Sequence, residues 1–573
     1  MSSLTSARGT RDHHFIPADL TPGDIAALAA LYKSLEERPL PDKAALETWI
    51  ADWEDLSAVA SELFTEAYVA MTCDTSDPQR EATYLHLVEE LVPLMERSRF
   101  ALQRKLLDTP AGAELDPATY GVYLREARAQ VELFREENVP LLTEVQKLEQ
   151  EYEKITGSQM VEFRGQPRTM QEMGVFLEEN DRATREEAWR AREAVSAADE
   201  AALDDLYDRM IAVRRQIAAN AGKRDYREYA FAGYLRFDYT PEDCLAFHEA
   251  IARHVVPVVH EFNERRRALL GVERLRPWDM SVDPEGRPPL RPFTEVDDLI
   301  AGCRRIFEQV DPQLAGFYET MVQEKLLDLA SRQGKAPGGY MVSLQVKRVP
   351  FIFMNAVGLK RDVDTLLHEG GHAFHYFLAR DIPLQSYHEA GLEFAEVASQ
   401  AMEFLARPYL HEFYAAGDLA RLRDEQIRGA LSFLPFMAMI DAFQHWVYTT
   451  ADSVDAAARR AKWAELEARF RPDTDWTGLE GARDSGWQYP HVFTVPFYYV
   501  EYGIALLAAL RVWLNSLHDA PAAIRAYKEA LALGGSRPLP ELFAAAGAEF
   551  GLSDAIVRDI VTETVAQIGA DGG

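Results

Sequence analysis

From residue 22 to about residue 150, apolar side chains return at helical spacing, broken only by turn-forming clusters at 39–41, 75–78 and 109–112. Segments of that length with one apolar face each can bury it only against one another. The expectation is long amphipathic helices packed antiparallel. Strand signals are confined to two places. One is a small hairpin at 158–168, where Val161, Glu162 and Phe163 run into Arg164, Gly165 and Gln166; the other is 334–358, where MVSLQV and PFIFMNAV follow a glycine-rich start. Residues 181–187 (DRATREE) open a further long helix with an acidic cap. The fold class read from this is mainly α with a small β-sheet.

The sheet signal leads directly into residues 364–378, DTLLHEGGHAFHYFL. His368 and His372 are four apart, so on a helix they lie one above the other and two imidazoles can grip one ion. Val363, Leu367, Gly370, Phe374 and Phe377 form the neighbouring buried stripe, and Asp362 or Asp364 is placed to cap the N-terminus. Gly370 and Gly371 each cost about 1 kcal/mol in a helix interior. That cost points to close approach by a neighbouring backbone. Zinc in a hydrolytic site takes three protein ligands and leaves one position for water, whose pKa it lowers to about 7. Glu369, beside the first ligand, is then placed to take the proton from that water.

A third ligand is needed, and residues 391–405 (GLEFAEVASQAMEFL) supply a second helical stretch. Phe394, Val397, Ala398, Ala401 and Leu405 make its apolar stripe. Glu393, Glu396 and Glu403 fall on or near another face, and spacing alone does not separate Glu393 from Glu396.

HEGGHAFH followed by FAEVASQAMEF resembles the thimet oligopeptidase family of zinc metallopeptidases, most closely its oligoendopeptidase F branch. The resemblance makes Glu396, in E-V-A-S-Q, the third ligand of one zinc per chain. Gly370 stands where many oligoendopeptidases have Leu, a departure that alters packing and leaves the ligands intact. Residues 156–192, YLRFDYT at 234–240 and RLRPWDM at 274–280 also look like that branch. The implied architecture is two helical lobes around a deep substrate channel, with the small β-sheet next to the zinc-binding helix. The implied activity is cleavage of internal bonds in short peptides. The expected division is a flexible tail over 1–20, an N-terminal helical region over 21–195 that includes an oligoendopeptidase F-like module, and a catalytic domain over 196–573.

Two further segments enter with this activity. A strand just before the zinc helix can pair its edge with an extended peptide, and Ile352, Met354 and Ala356 are the substrate-binding expectation. Residues 334–339 read as a mobile flap. In residues 487–502 (WQYPHVFTVPFYYVEY), a peptide hydrolase finds donors for the oxyanion of its tetrahedral intermediate. The resemblance gives these roles to His491, Tyr499 and Tyr502, with Tyr498 a rival to Tyr499 and otherwise a substrate contact.

Composition narrows the alternatives. With 61 basic against 92 acidic side chains the formal net charge is −31, which disfavours nucleic acid and anionic membrane surfaces. Three scattered cysteines, Cys73, Cys244 and Cys303, fit a reducing compartment better than a disulfide framework. The start has no apolar signal-peptide core, and the strongest apolar run, 503–514, is interrupted by Arg511. The expected location is the cytoplasm. No G-x-x-x-x-G-K-[ST] order occurs, so the glycines at 338–339 do not form a nucleotide loop. The rivals are a metal-dependent carboxypeptidase on a similar scaffold and a non-catalytic helical scaffold that kept the motif.

Overall fold

The three breaks in the helical pattern are helix ends. Ile25–Glu37 stops ahead of the first, and Asp42 opens Lys43–Cys73 by accepting from the Ala45 N–H at 2.9 Å. Asp77 caps Pro78–Asp108 in the same way, with Pro78 in the first turn where its missing N–H costs nothing. The third break is a short 3₁₀ turn, Pro110–Glu114, before Asp116 caps Pro117–Leu133. This computed structural model is 70% helical and describes residues 15–17, 20–170, 172–332, 334–336 and 338–569. Most of the tail expected over 1–20 lies outside the described residues.

Two compact units are present. The first is drawn from the chain up to Phe134, from Arg291–Ala415 and from Ala508–Phe550. Its helical core gathers Trp49, Trp53, Leu87, Leu102, Tyr123 and Tyr387. The second is drawn from Arg135–Leu290, Ala416–Leu507 and the chain from Gly551. It contains the expected hairpin, β1 (Met160–Phe163) against β2 (Gln166–Thr169). Its two-residue turn puts Arg164 at φ 54° and Gly165 at φ 76°, the left-handed pair that a tight hairpin requires. Asp181 caps the 39-residue helix Arg182–Asn220, as its acidic start predicts.

The sheet of the first unit runs in the order β3 (Leu327–Ala330), β5 (Val349–Ala356), β4 (Tyr340–Leu344). β5 is parallel to β3 and antiparallel to β4, so both its edges are occupied. This corrects the expectation that Ile352, Met354 and Ala356 offer an edge to a peptide. The Ile352 N–H donates to the Leu326 carbonyl at 2.9 Å, and the three residues are 0%, 2% and 6% exposed. A nearly unbroken apolar strand reads physically as the centre of a sheet. The terminal strand on this side of the sheet is β4.

Within 334–339, expected as a flap, described residues are tied to the sheet by side-chain bonds. The Lys335 side chain is buried, and its ammonium reaches Asp328 Oδ1 and the Asp328 and Ala330 carbonyls, each at 2.9 Å, and the Met354 carbonyl. Asn355 adds bonds to the carbonyls of Ala336 and Gly338. The glycines serve the turn, with Gly338 at φ 97°.

Helix Tyr499–His518 is the one described helix long and apolar enough to cross a membrane, and 72% of its most apolar window is buried inside the protein. All three cysteines are buried, and none forms a disulfide among the described residues.

Candidate metal centre

The motif lies on helix Lys360–Ala379 and the acidic stretch on Leu392–Leu405, both in the first unit. Asp362 is not the N-cap of the motif helix. It sits one turn in and reaches back to accept from the N–H groups of Val357 (2.8 Å) and Leu359 (2.9 Å), while Asp364 pairs with Lys360 at 2.7 Å. The tight approach foreseen from the glycines is present. A Cβ on Gly371 would lie 2.5 Å from the Ala398 carbonyl oxygen, and one on Gly370 would lie 2.9 Å from the Phe307 ring. Phe307 fills the space beside Gly370.

That approach brings the donors together. His368 Nε2 lies 3.4 Å and His372 Nε2 3.9 Å from Glu396 Oε2, and the imidazole centroids are 5.0 Å apart. The Ser399 hydroxyl donates to the same Glu396 oxygen at 3.0 Å. Glu393, the rival by spacing, is not in this group. The second helix has no solvated face at these positions, since Glu393, Glu396 and Gln400 are all buried. Glu403 has a role that spacing did not assign: its carboxylate accepts from His368 Nδ1 at 2.7 Å. His375, the third histidine of the stretch, is core, with its ring edge-on to Phe394.

The electrostatics fit a cation. Burial opposes charge on His368, but Glu396 and Glu403, one at each ring nitrogen, hold its pKa well above the usual imidazole value. Burial would likewise raise Glu396, yet its bond to His368 and the charge of His372 bring it down to about 2. The proton between His368 Nε2 and Glu396 stands where a divalent ion would serve both groups, and two imidazoles with one carboxylate are a zinc-type donor set. Glu369 is buried, which pushes its pKa up to about 7, and it accepts from the Met341 N–H on β4.

The aromatic segment lies in the second unit up to Leu507. His491 is 4.8 Å from Tyr499, 5.9 Å from Tyr502 and 6.3 Å from Tyr498, centroid to centroid. The three tyrosines differ in surroundings. Tyr499 is 4% exposed, packed on Phe433 and Phe436, with its hydroxyl 3.4 Å from that of Tyr489. Tyr498 and Tyr502, one helical turn apart, are half-buried, as is His491.

A second trio of potential ligands, Cys244, Asp441 and His445, is buried in the same unit. Arg227 Nη1 is 3.3 Å from His445 Nδ1 and can only donate, so the proton of that imidazole sits on Nε2, which lies 3.2 Å from Asp441. The lone pair a metal needs is already used. His248 bonds the same carboxylate at 2.8 Å, so the acid and the imidazole each already have a partner outside the trio.

Paired histidines on one helix and a glutamate on the next, set in a mainly helical protein with small sheets, define the metallopeptidase class. A profile of peptidase family M3 matches residues 175–562, and one of the peptidase M3 N-terminal domain matches residues 15–134. The chain belongs to peptidase family M3. An oligoendopeptidase F homolog of Borreliella burgdorferi is 23% identical over 300 residues, covering 50% of this chain and 49% of that protein. Oligopeptidase PepF of Bacillus subtilis is 24% identical over 316 residues, 50% of this chain and 43% of PepF. The chain thus spans about half the length, or less, of these curated relatives. Among solved structures, PZ peptidase A with an inhibitor superposes with a TM-score of 0.91 at 27% identity, over 97% of this chain and 99% of that one. Oligoendopeptidase-F from Enterococcus faecium shares the fold, with a TM-score of 0.64 at 15% identity over 96% of each chain.

Proposed function

We propose that this protein is a cytoplasmic zinc endopeptidase that hydrolyses internal bonds of short peptides. The observation that carries it is the convergence of His368, His372 and Glu396 with Glu369 buried on the same turn. Those three residues would hold one zinc, which when bound supplies a Lewis acid that polarises the scissile carbonyl and acidifies water. Glu403 fixes the His368 ring through Nδ1. Glu369 takes the proton of the attacking water at its carboxylate and returns it to the leaving nitrogen. His491, Tyr502 and Tyr498 donate to the oxyanion, Tyr498 in preference to Tyr499 because its side chain is half-buried where that of Tyr499 is buried. An extended peptide pairs with β4, which ends the sheet, rather than with β5, which is flanked on both sides. The names of the oligoendopeptidase relatives support the substrate class.

The test joins metal analysis to an assay. The purified protein should hold one zinc per chain and cut an internally quenched peptide blocked at both ends, an uncleavable substrate for a carboxypeptidase. Glu369→Gln should keep the metal and lose most turnover. A metal-free protein, or an active Glu369→Gln, overturns the assignment. Peptides of roughly 6 to 15 residues should be cut while unfolded casein survives, as the resemblance to oligoendopeptidases implies.

A further inference from the structure

YLRFDYT, residues 234–240, is prominent in the sequence and supplies none of the donors above. Its Arg236 is buried against the rings of Phe231, Tyr234 and Tyr239, at 4.5, 4.9 and 5.4 Å. The guanidinium pairs with Glu501 at 2.6 Å, the side chains being 0% and 1% exposed. The same Nη2 donates to the Phe497 carbonyl at 2.5 Å. Phe497 has φ 70°, a left-handed backbone that residues with a Cβ adopt only when their surroundings impose it.

The other side of Phe497 is held as well. Its N–H donates to Gln444 Oε1 at 2.8 Å, and Gln444 Nε2 donates to the His491 carbonyl at 3.2 Å. The Phe497 ring is wedged among Phe231, His445 and Tyr448. Both peptide groups of one unfavourable residue are therefore fixed by buried side chains from elsewhere in the second unit. Tyr498 follows directly, and Glu501 precedes Tyr502.

A buried ion pair is a poor device for stability alone, since an apolar pair of similar volume usually serves as well. What an apolar pair cannot do is bind the Phe497 carbonyl. We infer that Arg236, Glu501 and Gln444 are positioning residues, a clamp that holds Phe497 left-handed and so fixes His491, Tyr498 and Tyr502 as one constellation of donors. This rests on the proposed role of those donors in the oxyanion step. A donor displaced by about 1 Å can cost about 100-fold in rate.

The experiment is steady-state kinetics on the quenched peptide, with zinc content and thermal unfolding, in two backgrounds. Gln444→Met removes both of its bonds at nearly constant volume. Should it fail to fold, the pair Arg236→Met with Glu501→Leu removes the ion pair without stranding a charge. In the native background either change should lower kcat about 10- to 100-fold, with KM within about threefold and zinc retained. In the Tyr498→Phe/Tyr502→Phe background the same change should cost several-fold less, because only His491 is left to misplace. Gln444→Glu keeps the acceptor for the Phe497 N–H and should recover part of the loss. Equal losses in both backgrounds, or losses that follow the unfolding temperature, overturn the clamp. If the tyrosine pair itself keeps native turnover, the oxyanion assignment fails first and the clamp with it.

Discussion

His368 lies between two carboxylates: Glu403 accepts from its Nδ1 at 2.7 Å, and Glu396 faces its Nε2 at 3.4 Å. In the proposed zinc site one glutamate would serve the ion and the other the imidazole. The second fixes the ring's orientation and raises its strength as a ligand. Glu403→Gln should weaken zinc binding about 10- to 100-fold, measured by competition with a chelator, while Glu393→Gln leaves the affinity unchanged. The reverse order would mean that the acidic helix presents another face to the metal.

Gly371 sets how closely the two ligand helices approach. Alanine there meets the Ala398 carbonyl at 2.5 Å and the Ser399 Cα at 2.6 Å, both backbone, so the helices must part. A loss of about 1 to 3 kcal/mol in stability, with lower zinc occupancy, is expected. Gly370→Ala meets only the Phe307 ring and should cost less. Thermal unfolding and metal analysis of both variants decide it, and a harmless Gly371→Ala would remove the glycine from the account of the site.

The tyrosines should separate by exposure. Tyr498→Phe and Tyr502→Phe should each lower kcat by about 10² to 10³ with little change in unfolding temperature, the usual result of removing one oxyanion donor. Tyr499→Phe, whose hydroxyl is enclosed beside Tyr489, should keep near-native turnover. A large loss at Tyr499 alone would reverse the assignment.

Asp328 gives a pH-dependent test. Burial raises its pKa, but bonds from Arg332 and Lys335 outweigh this and hold the carboxyl well below the usual range. A depressed folded pKa means stability that is present above the ordinary carboxylate pKa of about 3.9 and is lost as pH falls through the folded value. Asp328→Asn should cost about 2 to 4 kcal/mol at neutral pH, since it strands the buried Lys335. Unfolding curves of variant and parent should converge in acid. A gap that does not narrow would show that the charge of Asp328 is not what ties the loop.

Where chemistry is written in local spacing, the sequence was legible. His368 and His372 at helical spacing, the glycine pair and the left-handed turn at Arg164–Gly165 need only their neighbours in the chain to be understood. What was not legible concerns partners far away in sequence. Ile352 belongs to a central strand because Leu327 and Met341 flank it in space, and no pattern within 349–356 tells a covered edge from an open one. Glu403 and Glu393 look alike until a ring nitrogen meets one of them. Tyr499 differs from Tyr498 only because Phe433 and Phe436 lie over it. Gln444 and Arg236 carry no motif, since their bonds are to main-chain atoms whose identity any residue could supply.

The way the chain alternates between its units bears on synthesis. It passes from one to the other after Phe134, Leu290, Ala415, Leu507 and Phe550, so neither unit is a continuous stretch of gene. The helix bearing Glu396 is braced by Tyr527, whose buried hydroxyl donates to the Ala398 carbonyl at 2.7 Å. A ribosome translating this message exposes His368 and His372 long before it releases that brace. A nascent chain stalled ahead of Tyr527 therefore carries the histidine motif without the bond that braces the helix of Glu396.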